Sequence, residues 1–354
     1  MRPAKQLAYA RKLLGRLLAL KLVRILLALL AVIIITPIIF FILVKPEPAE
    51  KINYGVTFSS KYASDLGLDW QKAYLAILTE LKPKYVRLVA YWDEAEPLPD
   101  VYNYTDIKWQ LAEAQNRDVK VILTMGYKVP RFPECFAPEW WNTIEDADLR
   151  NQALYEYIKQ TTTELKGYEA IVMWQVENEP FFPFGFCKKI TKETLENEVK
   201  VVKSIDPRPI LVQDSGEGGF WFPTYQTADY LGISMYRRIW YDFWKLLLGK
   251  SIYFQYPLAH WSYKVKSVVV GVPMERIYVT ELQAEPWGPT INSKLTSEEK
   301  AKTMSKEQFL ETINYAQKSG FANIYFWGVE WWLWEKDYNT NPYFWETGKA
   351  IIQN

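Results

Sequence analysis

Two glutamates, Glu179 and Glu281, each follow an apolar segment, Ile171–Val176 before the first and Ile277–Val279 before the second. Short apolar runs bounded by polar residues are typical of buried strands. Two carboxyl groups can together break a glycosidic bond, because one protonates the leaving oxygen while the other, ionised, meets the sugar. This pair is therefore the candidate acid–base chemistry of the chain.

The elements that position the glutamates are short β-rich runs alternating with longer helical segments. Eight such units predict an α/β fold, a (β/α)8 TIM barrel with a parallel sheet. An open doubly wound sheet would not require eight units, and no glycine-rich phosphate loop follows the first run. The predicted strands are Asn53–Ser59, Tyr85–Trp92, Lys120–Gly126, Ala170–Glu179, Pro209–Asp214, Tyr230–Tyr236, Arg276–Glu281 and Asn323–Gly328. The predicted helices include Asp69–Leu81, Thr105–Arg117, Asp146–Leu165, Lys192–Ser204 and Ser297–Ser319.

A barrel of this kind places its active site at the carboxyl ends of the strands. Glu179 ends the fourth predicted strand and Glu281 ends the seventh, so both are expected in one site. The connection Arg237–Pro273 is long for one strand-to-strand link, and we expect it to add loop structure over one side of that site.

The sequence Asn178-Glu179-Pro180 on the fourth strand, with a glutamate ending the seventh, resembles clan A of the glycoside hydrolases, the cellulase-like retaining (β/α)8-barrel glycosidases. The resemblance extends from about Ile52 to the C-terminus. The tripeptide alone is a weak signal, and its position relative to the second glutamate makes it specific. The resemblance implies that Glu179 is the acid/base, that Glu281 is the nucleophile, and that a covalent glycosyl-enzyme forms.

Four further positions match the clan pattern. The resemblance implies that Arg87 lies near the nucleophile, that Tyr236 hydrogen-bonds it, that Trp327 forms the floor of the cleavage subsite, and that Asn178 binds the sugar 2-hydroxyl. The sequence departs from the pattern in its histidines, since many members place several around the site. The single histidine here, His260, falls in the long connection after the sixth strand.

Other acids near the pair have competing interpretations. Glu285, four residues beyond Glu281, is the alternative nucleophile. Glu177 shares the strand parity of Glu179, which predicts a place in the barrel interior, paired with Arg87. Glu330 either contacts a sugar or faces solvent. The acid role requires the pKa of Glu179 to be raised by burial or by a neighbouring negative charge.

Aromatic residues make up 16% of the chain, and many cluster at predicted strand ends. Flat rings stack on the C–H faces of sugars, and an aromatic cleft with a few polar groups suits such a ligand. We expect Trp92, Trp287 and Trp327 to line the cleft, and most other rings to fill gaps between helices and barrel.

The two cysteines, Cys135 and Cys187, follow the third and fourth strands, whose loops share the catalytic face. We predict a disulfide between them, with two free thiols as the alternative. One histidine and no Cys–His cluster leave few ligands for a catalytic metal, so no metal or cofactor is predicted. A structural Ca²⁺ on surface carboxylates stays open.

The N-terminal region is basic and then apolar. Residues 1–24 are predicted to be a cytoplasmic basic segment, 25–44 a transmembrane signal anchor, 45–51 a linker, and 52–354 the catalytic domain. Twenty apolar residues can cross a bilayer as a helix, and the basic residues before them predict a cytoplasmic N-terminus and an extracytoplasmic domain. A cleaved signal peptide is the alternative. The net charge of +1 gives no reason to expect nucleic acid.

The predicted function is hydrolysis of O-glycosidic bonds in a β-linked glycan or oligosaccharide by a membrane-anchored retaining β-glycosidase. A carbohydrate-binding envelope protein without activity, and a transglycosylase using the same site, are the alternatives. The sequence does not predict the sugar, the linkage, internal or terminal cleavage, or the oligomeric state.

Overall fold

The computed structural model describes residues 3–185, 187–242, 249 and 252–354. The chain divides into two units, Met1–Pro46 and Glu47–Asn354. The first unit contains α1 (Pro3–Val44), a helix with Pro37 inside it. The segment Leu20–Val44 of this helix is long and apolar enough to cross a membrane by length and composition, so it could be an anchor or a signal sequence. Residues 1 and 2 of the predicted basic segment lie outside the described residues.

The second unit is built on a closed parallel barrel of eight strands, which confirms the predicted (β/α)8 architecture. The strands are β1 (Asn53–Thr57), β2 (Tyr85–Val89), β3 (Lys120–Met125), β4 (Ile171–Asn178), β5 (Ile210–Asp214), β6 (Tyr230–Met235), β7 (Arg238–Tyr241), β8 (Ile252–Gln255), β9 (Ile277–Gln283) and β10 (Asn323–Trp327). Around the barrel they follow the order β1-β10-β9-β6-β5-β4-β3-β2. Strands β7 and β8 form a separate antiparallel hairpin.

Helices connect the strands and surround them. They are α2 (Ser60–Asp65), α3 (Trp70–Ala76, continued by a π-helical turn Ile77–Leu81), α4 (Trp92–Ala95), α5 (Thr105–Gln115), α6 (Glu139–Asn142), α7 (Ala147–Leu165), α8 (Lys192–Ile205), α9 (Phe222–Tyr225), α10 (Ser262–Val270), α11 (Ser297–Thr303), α12 (Lys306–Lys318), α13 (Val329–Tyr338) and α14 (Tyr343–Gln353). The helix predicted over Ser297–Ser319 is two helices, because Thr296 and Ser305 each form a capping box that starts a helix.

The long connection after β6 contains the β7–β8 hairpin and α10. Its residues 243–248 and 250–251 lie outside the described residues. The sequence therefore correctly predicted additional structure in the connection Arg237–Pro273, but it did not predict a β-hairpin. Whether the whole connection covers one side of the site stays a prediction.

The core has an inner and an outer part. Inside the barrel, Ile122, Met173, Leu211 and Tyr325 form one buried cluster, as the layered filling of such barrels requires. Gly55 on β1 makes room for it, since a Cβ atom there would lie 2.6 Å from the Tyr325 ring. A much larger apolar cluster lies between the strands and the surrounding helices.

Cys135 and Cys187 form a disulfide with their Cα atoms 5.4 Å apart. The bond joins the loop after β3 to the loop after β4 at the carboxyl ends of the strands. The bond joins residues that are 52 positions apart in the sequence. Closing a loop of this length removes much of the conformational freedom of the unfolded chain. The two loops that carry residues of the candidate site are therefore fixed to each other.

Replacing both cysteines, as Cys135→Ser with Cys187→Ser, should destabilise the fold. Loop-closure entropy for a separation of 52 residues gives about 4 kcal/mol as the expected loss. The measurement is chemical denaturation of the purified protein. Wild type treated with reductant is the matched control and should match the double variant. A loss below about 1 kcal/mol would contradict an entropic constraint of this size.

Glu198 on α8 is an unusual feature of the core. Its side chain is fully buried, and neither carboxyl oxygen has a hydrogen-bond partner among the described residues. Burial, and then the charge of Glu177, raise the pKa of Glu198 well above its usual value. The folded chain therefore binds this proton more tightly than the unfolded chain does.

The Glu198→Gln variant tests this linkage. A raised pKa stabilises the fold fully below the ordinary glutamate pKa of about 4.3, which applies to the unfolded chain, and the stabilisation is lost as pH rises through the folded pKa. The variant lacks this titration, so its stability relative to wild type should improve from pH 5 to pH 8.5, by about 1–3 kcal/mol. Denaturation midpoints across this pH range measure the effect. A constant difference between the two proteins would show that Glu198 does not titrate abnormally.

Candidate active site

Glu179 and Glu281 lie at the carboxyl ends of their strands and share a neighbour. Glu179 follows the last residue of β4, with a positive φ of 50°, and Glu281 lies near the end of β9. Ser234 on β6 is paired in register with Glu281, and its hydroxyl donates to Glu179 Oε1 at 2.9 Å. Both carboxyl groups are buried. The structure therefore brings the two predicted catalytic glutamates into one site.

Three donors surround the Glu281 carboxylate. Arg87 Nη1 and Gln213 Nε2 donate to Oε1 at 3.0 and 2.7 Å. The Tyr236 hydroxyl donates to Oε2 at 3.2 Å. Hydrogen bonds from a cation and two neutral donors stabilise the negative charge of a carboxylate. This environment suits a group that must remain an anion to attack.

Arg87 is fully buried inside the end of the barrel, with each guanidinium nitrogen on a different residue. Besides Glu281, its Nε donates to Gln175 Oε1 and its Nη2 to Asn178 Oδ1, both at 2.7 Å. A planar guanidinium held at three points has a fixed orientation. Because the carbonyl of Asn178 accepts from Arg87, its NH2 group remains as the donor that could reach a ligand.

The Glu179 carboxyl group, unlike that of Glu281, is buried beside negative charges. Burial raises its pKa well above the usual value, and the charges of Glu134 and Glu281 raise it further. Lys128 and the Ser234 hydroxyl act in the other direction and do not cancel these effects. A carboxyl group that keeps its proton in this way can act as a general acid.

Glu134, in the loop after β3, is a buried acid near the pair that the sequence analysis missed. Burial is the largest cause that raises its pKa, to about 8, and the charge of Glu281 adds to it. Lys128 Nζ lies 3.2 Å from Glu134 Oε2 and donates to the backbone oxygens of Glu179 and Phe182. The one sequence signal for this loop is the adjacent Cys135, which follows the third predicted strand and is therefore expected on the catalytic face.

The interpretation of Glu177 was wrong. Its carboxylate accepts from the backbone N–H groups of Tyr127 and Lys128, at 2.7 and 2.6 Å, and not from Arg87. The register of β4 with β5 shifts between Gln175 and Asn178, so the simple alternation of strand faces fails there. Gly126 permits the close approach, since a Cβ atom on it would lie 2.4 Å from Glu177 Oε1.

Glu285 and Glu330 both bind Arg131, a residue of the loop after β3 that the sequence analysis did not select. Arg131 Nη1 pairs with Glu285 Oε1, and Nη2 with Glu330 Oε2 at 2.9 Å. Glu330 is fully buried and also accepts from the Ser59 N–H, so it does not face solvent. Glu285 thus pairs with Arg131, whereas Glu281 pairs with Arg87.

The three tryptophans expected in the cleft have different environments. Trp287 is partly exposed and contacts Tyr236 with ring centroids 5.0 Å apart. Trp327 is only 8% exposed, and the Arg131 guanidinium lies 4.0 Å from its ring centroid. The expectation for Trp92 was wrong, because its ring is fully buried and stacks on Tyr157.

The local reason for the position of Trp92 is the end of β2. The strand stops at Val89, three residues before the predicted end, and Trp92 begins α4. Its indole N–H donates to Glu96, which places the ring between the barrel and the surrounding helices.

In the described part of the chain, no group of three or more His, Cys, Asp and Glu residues could hold a metal ion. The His260 ring interacts with the backbone oxygen of Lys318 at 2.9 Å. This contact is with α12 and involves neither candidate carboxylate.

Solved structures similar to this chain include xylanase 10B from Thermotoga petrophila RKU-1 in complex with xylobiose, with a TM-score of 0.54 and 16% identity over 85% of this chain and 95% of that one. Exo-β-1,4-mannosidase Op5Man5 from Opitutaceae bacterium strain TAV5 has a TM-score of 0.54 and 15% identity, over 88% of this chain and 62% of that one. GH5_18 from Streptomyces cattleya in complex with GlcNAc has a TM-score of 0.53 and 14% identity, over 79% of this chain and 71% of that one.

No protein-family model matches the sequence, and no curated protein matches it. At identities of 14 to 16% the structural likeness concerns the fold. The barrel unit of this chain is similar in architecture to the (β/α)8 barrels of a xylanase and a mannosidase.

Proposed function

We propose that this chain is a retaining β-glycosidase that hydrolyses a β-linked glycan or oligosaccharide. The observation that supports the proposal is the unequal pair of buried carboxyl groups on either side of Ser234. Glu179 has a raised pKa, while Glu281 accepts hydrogen bonds from Arg87, Gln213 and Tyr236. One acid and one anion in the same site are the two groups that the reaction needs.

In the first step Glu281 attacks the anomeric carbon, and the bond to the leaving oxygen breaks as Glu179 protonates that oxygen. This step gives a covalent glycosyl-enzyme. In the second step Glu179, now ionised, takes a proton from water, and the water oxygen attacks the anomeric carbon and releases Glu281. Asn178 is proposed to donate from its NH2 group to the 2-hydroxyl of the sugar.

The similar structures are consistent with this substrate class. Two of them are named as a xylanase with bound xylobiose and an exo-β-1,4-mannosidase. Each name describes an enzyme or ligand of β-linked sugars. We therefore propose a carbohydrate as the ligand of the barrel mouth, with Tyr236 and Trp287 offering partly exposed rings beside the carboxylates.

Residues 25–44 are proposed to form an uncleaved signal anchor that places the barrel outside the cytoplasm. Basic residues precede this segment and include Arg16, Lys21 and Arg24, which favours a cytoplasmic N-terminus. The Cys135–Cys187 disulfide supports the same location, because such bonds persist in oxidising compartments.

Substitution of each carboxylate tests the assignment. Glu179→Ala and Glu281→Ala should each lower hydrolysis of aryl β-glycosides by about 10²- to 10⁴-fold or more. Added azide should restore turnover in both, with different products. It replaces the nucleophile in Glu281→Ala and gives the α-glycosyl azide, whereas in Glu179→Ala it attacks the glycosyl-enzyme and gives the β-glycosyl azide.

Product configuration by NMR and initial rates by absorbance supply the readouts for this pair of variants. Glu298→Ala, on an exposed part of α11, is the control and should match wild type. Wild-type rates in both carboxylate variants would refute the proposed function.

The pH profile of kcat/KM tests the acid role separately. Activity needs protonated Glu179, so the alkaline limb reports its ionisation. The negative charge of Glu134 raises the pKa of Glu179 and the positive charge of Lys128 lowers it. Glu134→Gln should therefore move the alkaline limb to lower pH, and Lys128→Met should move it to higher pH. Shifts in the same direction would show that these charges do not act through Glu179.

A further inference from the structure

Arg131 extends across part of the barrel mouth. It belongs to the loop after β3, yet its partners Glu285 and Glu330 follow β9 and β10. In the closed barrel β2 and β1 lie between β3 and β10. The side chain therefore spans the carboxyl ends of the strands on that side. We call Arg131 with Glu285, Glu330, Tyr62 and Trp327 the Arg131 bridge.

The bridge is closely packed. The guanidinium carbon lies 3.7 Å from the Tyr62 ring centroid and 4.0 Å from that of Trp327, so the cation is stacked on both rings. All five members of the bridge are buried. The face of Trp327 that Arg131 covers is therefore not free to stack on a sugar.

The loop that carries Arg131 is held at several points. The Glu134 N–H donates to the Arg131 carbonyl at 2.7 Å, and the Val129 N–H donates to the Glu134 carbonyl at 2.8 Å. The next residue, Cys135, is in the disulfide. Moving Arg131 away would leave two buried carboxylates without their cation, which is costly in a protein interior.

The bridge and the catalytic pair share one pocket. Glu285 follows β9, the strand that carries Glu281, and Trp327 on β10 is paired in register with Gln283 on β9. The partly exposed rings of Phe184, Tyr236 and Trp287 follow β4, β6 and β9, and Trp287 contacts both of the others. These rings therefore extend from β9 toward β4 and β6, the strands across the barrel from β1 and β2.

We infer that the Arg131 bridge makes this site exo-acting, so that it accepts only the non-reducing terminal sugar of a glycan; this inference rests on the proposed function. Glu179, which protonates the leaving oxygen, projects from β4 and contacts Ser234 on β6, away from the bridge. The leaving group therefore lies over the open side. The sugar bound to Glu281 lies against the bridge, which leaves no path for a further unit.

The test uses the full-length protein with β-1,4-linked xylo-, manno- and gluco-pentasaccharides labelled at the reducing end. Each is supplied with a free non-reducing end and with that end blocked by a bulky cyclic acetal. Wild type should shorten the matching free chain by one sugar at a time. It should act on the blocked chain about 100-fold more slowly or worse, because the cap has no room.

A variant opens the closed side. Arg131→Ala combined with Glu285→Gln and Glu330→Gln removes the bridge without leaving an unmatched buried charge. It should raise the rate on the blocked chain relative to the free chain by about tenfold or more. Arg208→Ala is the matched control, since Arg208 also pairs with a carboxylate, Asp206, and lies over a tryptophan ring, at the start of β5. Its rate ratio should equal that of wild type.

The outcomes separate the two proposals. Internal cleavage of the blocked chain by wild type would overturn the exo inference and leave the glycosidase function standing, and this result does not depend on whether the triple variant folds. An unchanged rate ratio in a folded triple variant would also overturn the role of the bridge. If neither free chains nor aryl β-glycosides of these sugars were hydrolysed, the proposed function would fail, and the inference with it.

Discussion

A single buried cation, Arg87, is the interaction on which the site depends. Its three nitrogens hold Gln175, Asn178 and Glu281, and thereby join β2, β4 and β9 at the end of the barrel. Burial lowers the pKa of Arg87 and Glu281 opposes this effect, so the cation and the anion stabilise each other. An isolated charge at this depth would cost several kcal/mol. Of the two carboxyl groups, it is therefore Glu281 that lies against the buried cation.

Several other buried carboxyl groups have raised pKa values. Glu179 and Glu198 have pKa values well above the usual range, and those of Glu134 and Glu177 rise to about 8. In each case burial is the largest cause. Glu179 therefore shares its raised pKa, and the cause of it, with three other buried glutamates. It differs from them in its contact with Ser234, which is paired in register with Glu281.

The sequence predicted the barrel and the two glutamates because strand periodicity and strand order determine them. Each of the eight expected barrel strands is present, and β9 carries Glu281 as expected. What could not be predicted depends on loops and on local irregularity. Trp92 is in the core because β2 ends early, and Glu177 turns away because the register of β4 shifts. The part played by Arg131 depends on how one loop folds, and no periodic pattern encodes that.

Two buried arginines of the barrel mouth, Arg87 and Arg131, bind different sets of partners. Arg87 shares its donors between one carboxylate and two amides, and Tyr236 donates to the Glu281 oxygen that Arg87 does not bind. Arg131 binds two carboxylates and stacks on two rings. Breaking a buried ion pair by removing one partner costs about 3–5 kcal/mol, whereas an aromatic ring pair contributes about 0.5–1.5 kcal/mol beyond its buried area. A ring-stacking contact at Trp327 of that size could not offset the displacement of Arg131. The closed side of the mouth is therefore a property of the folded chain and does not require a moving loop.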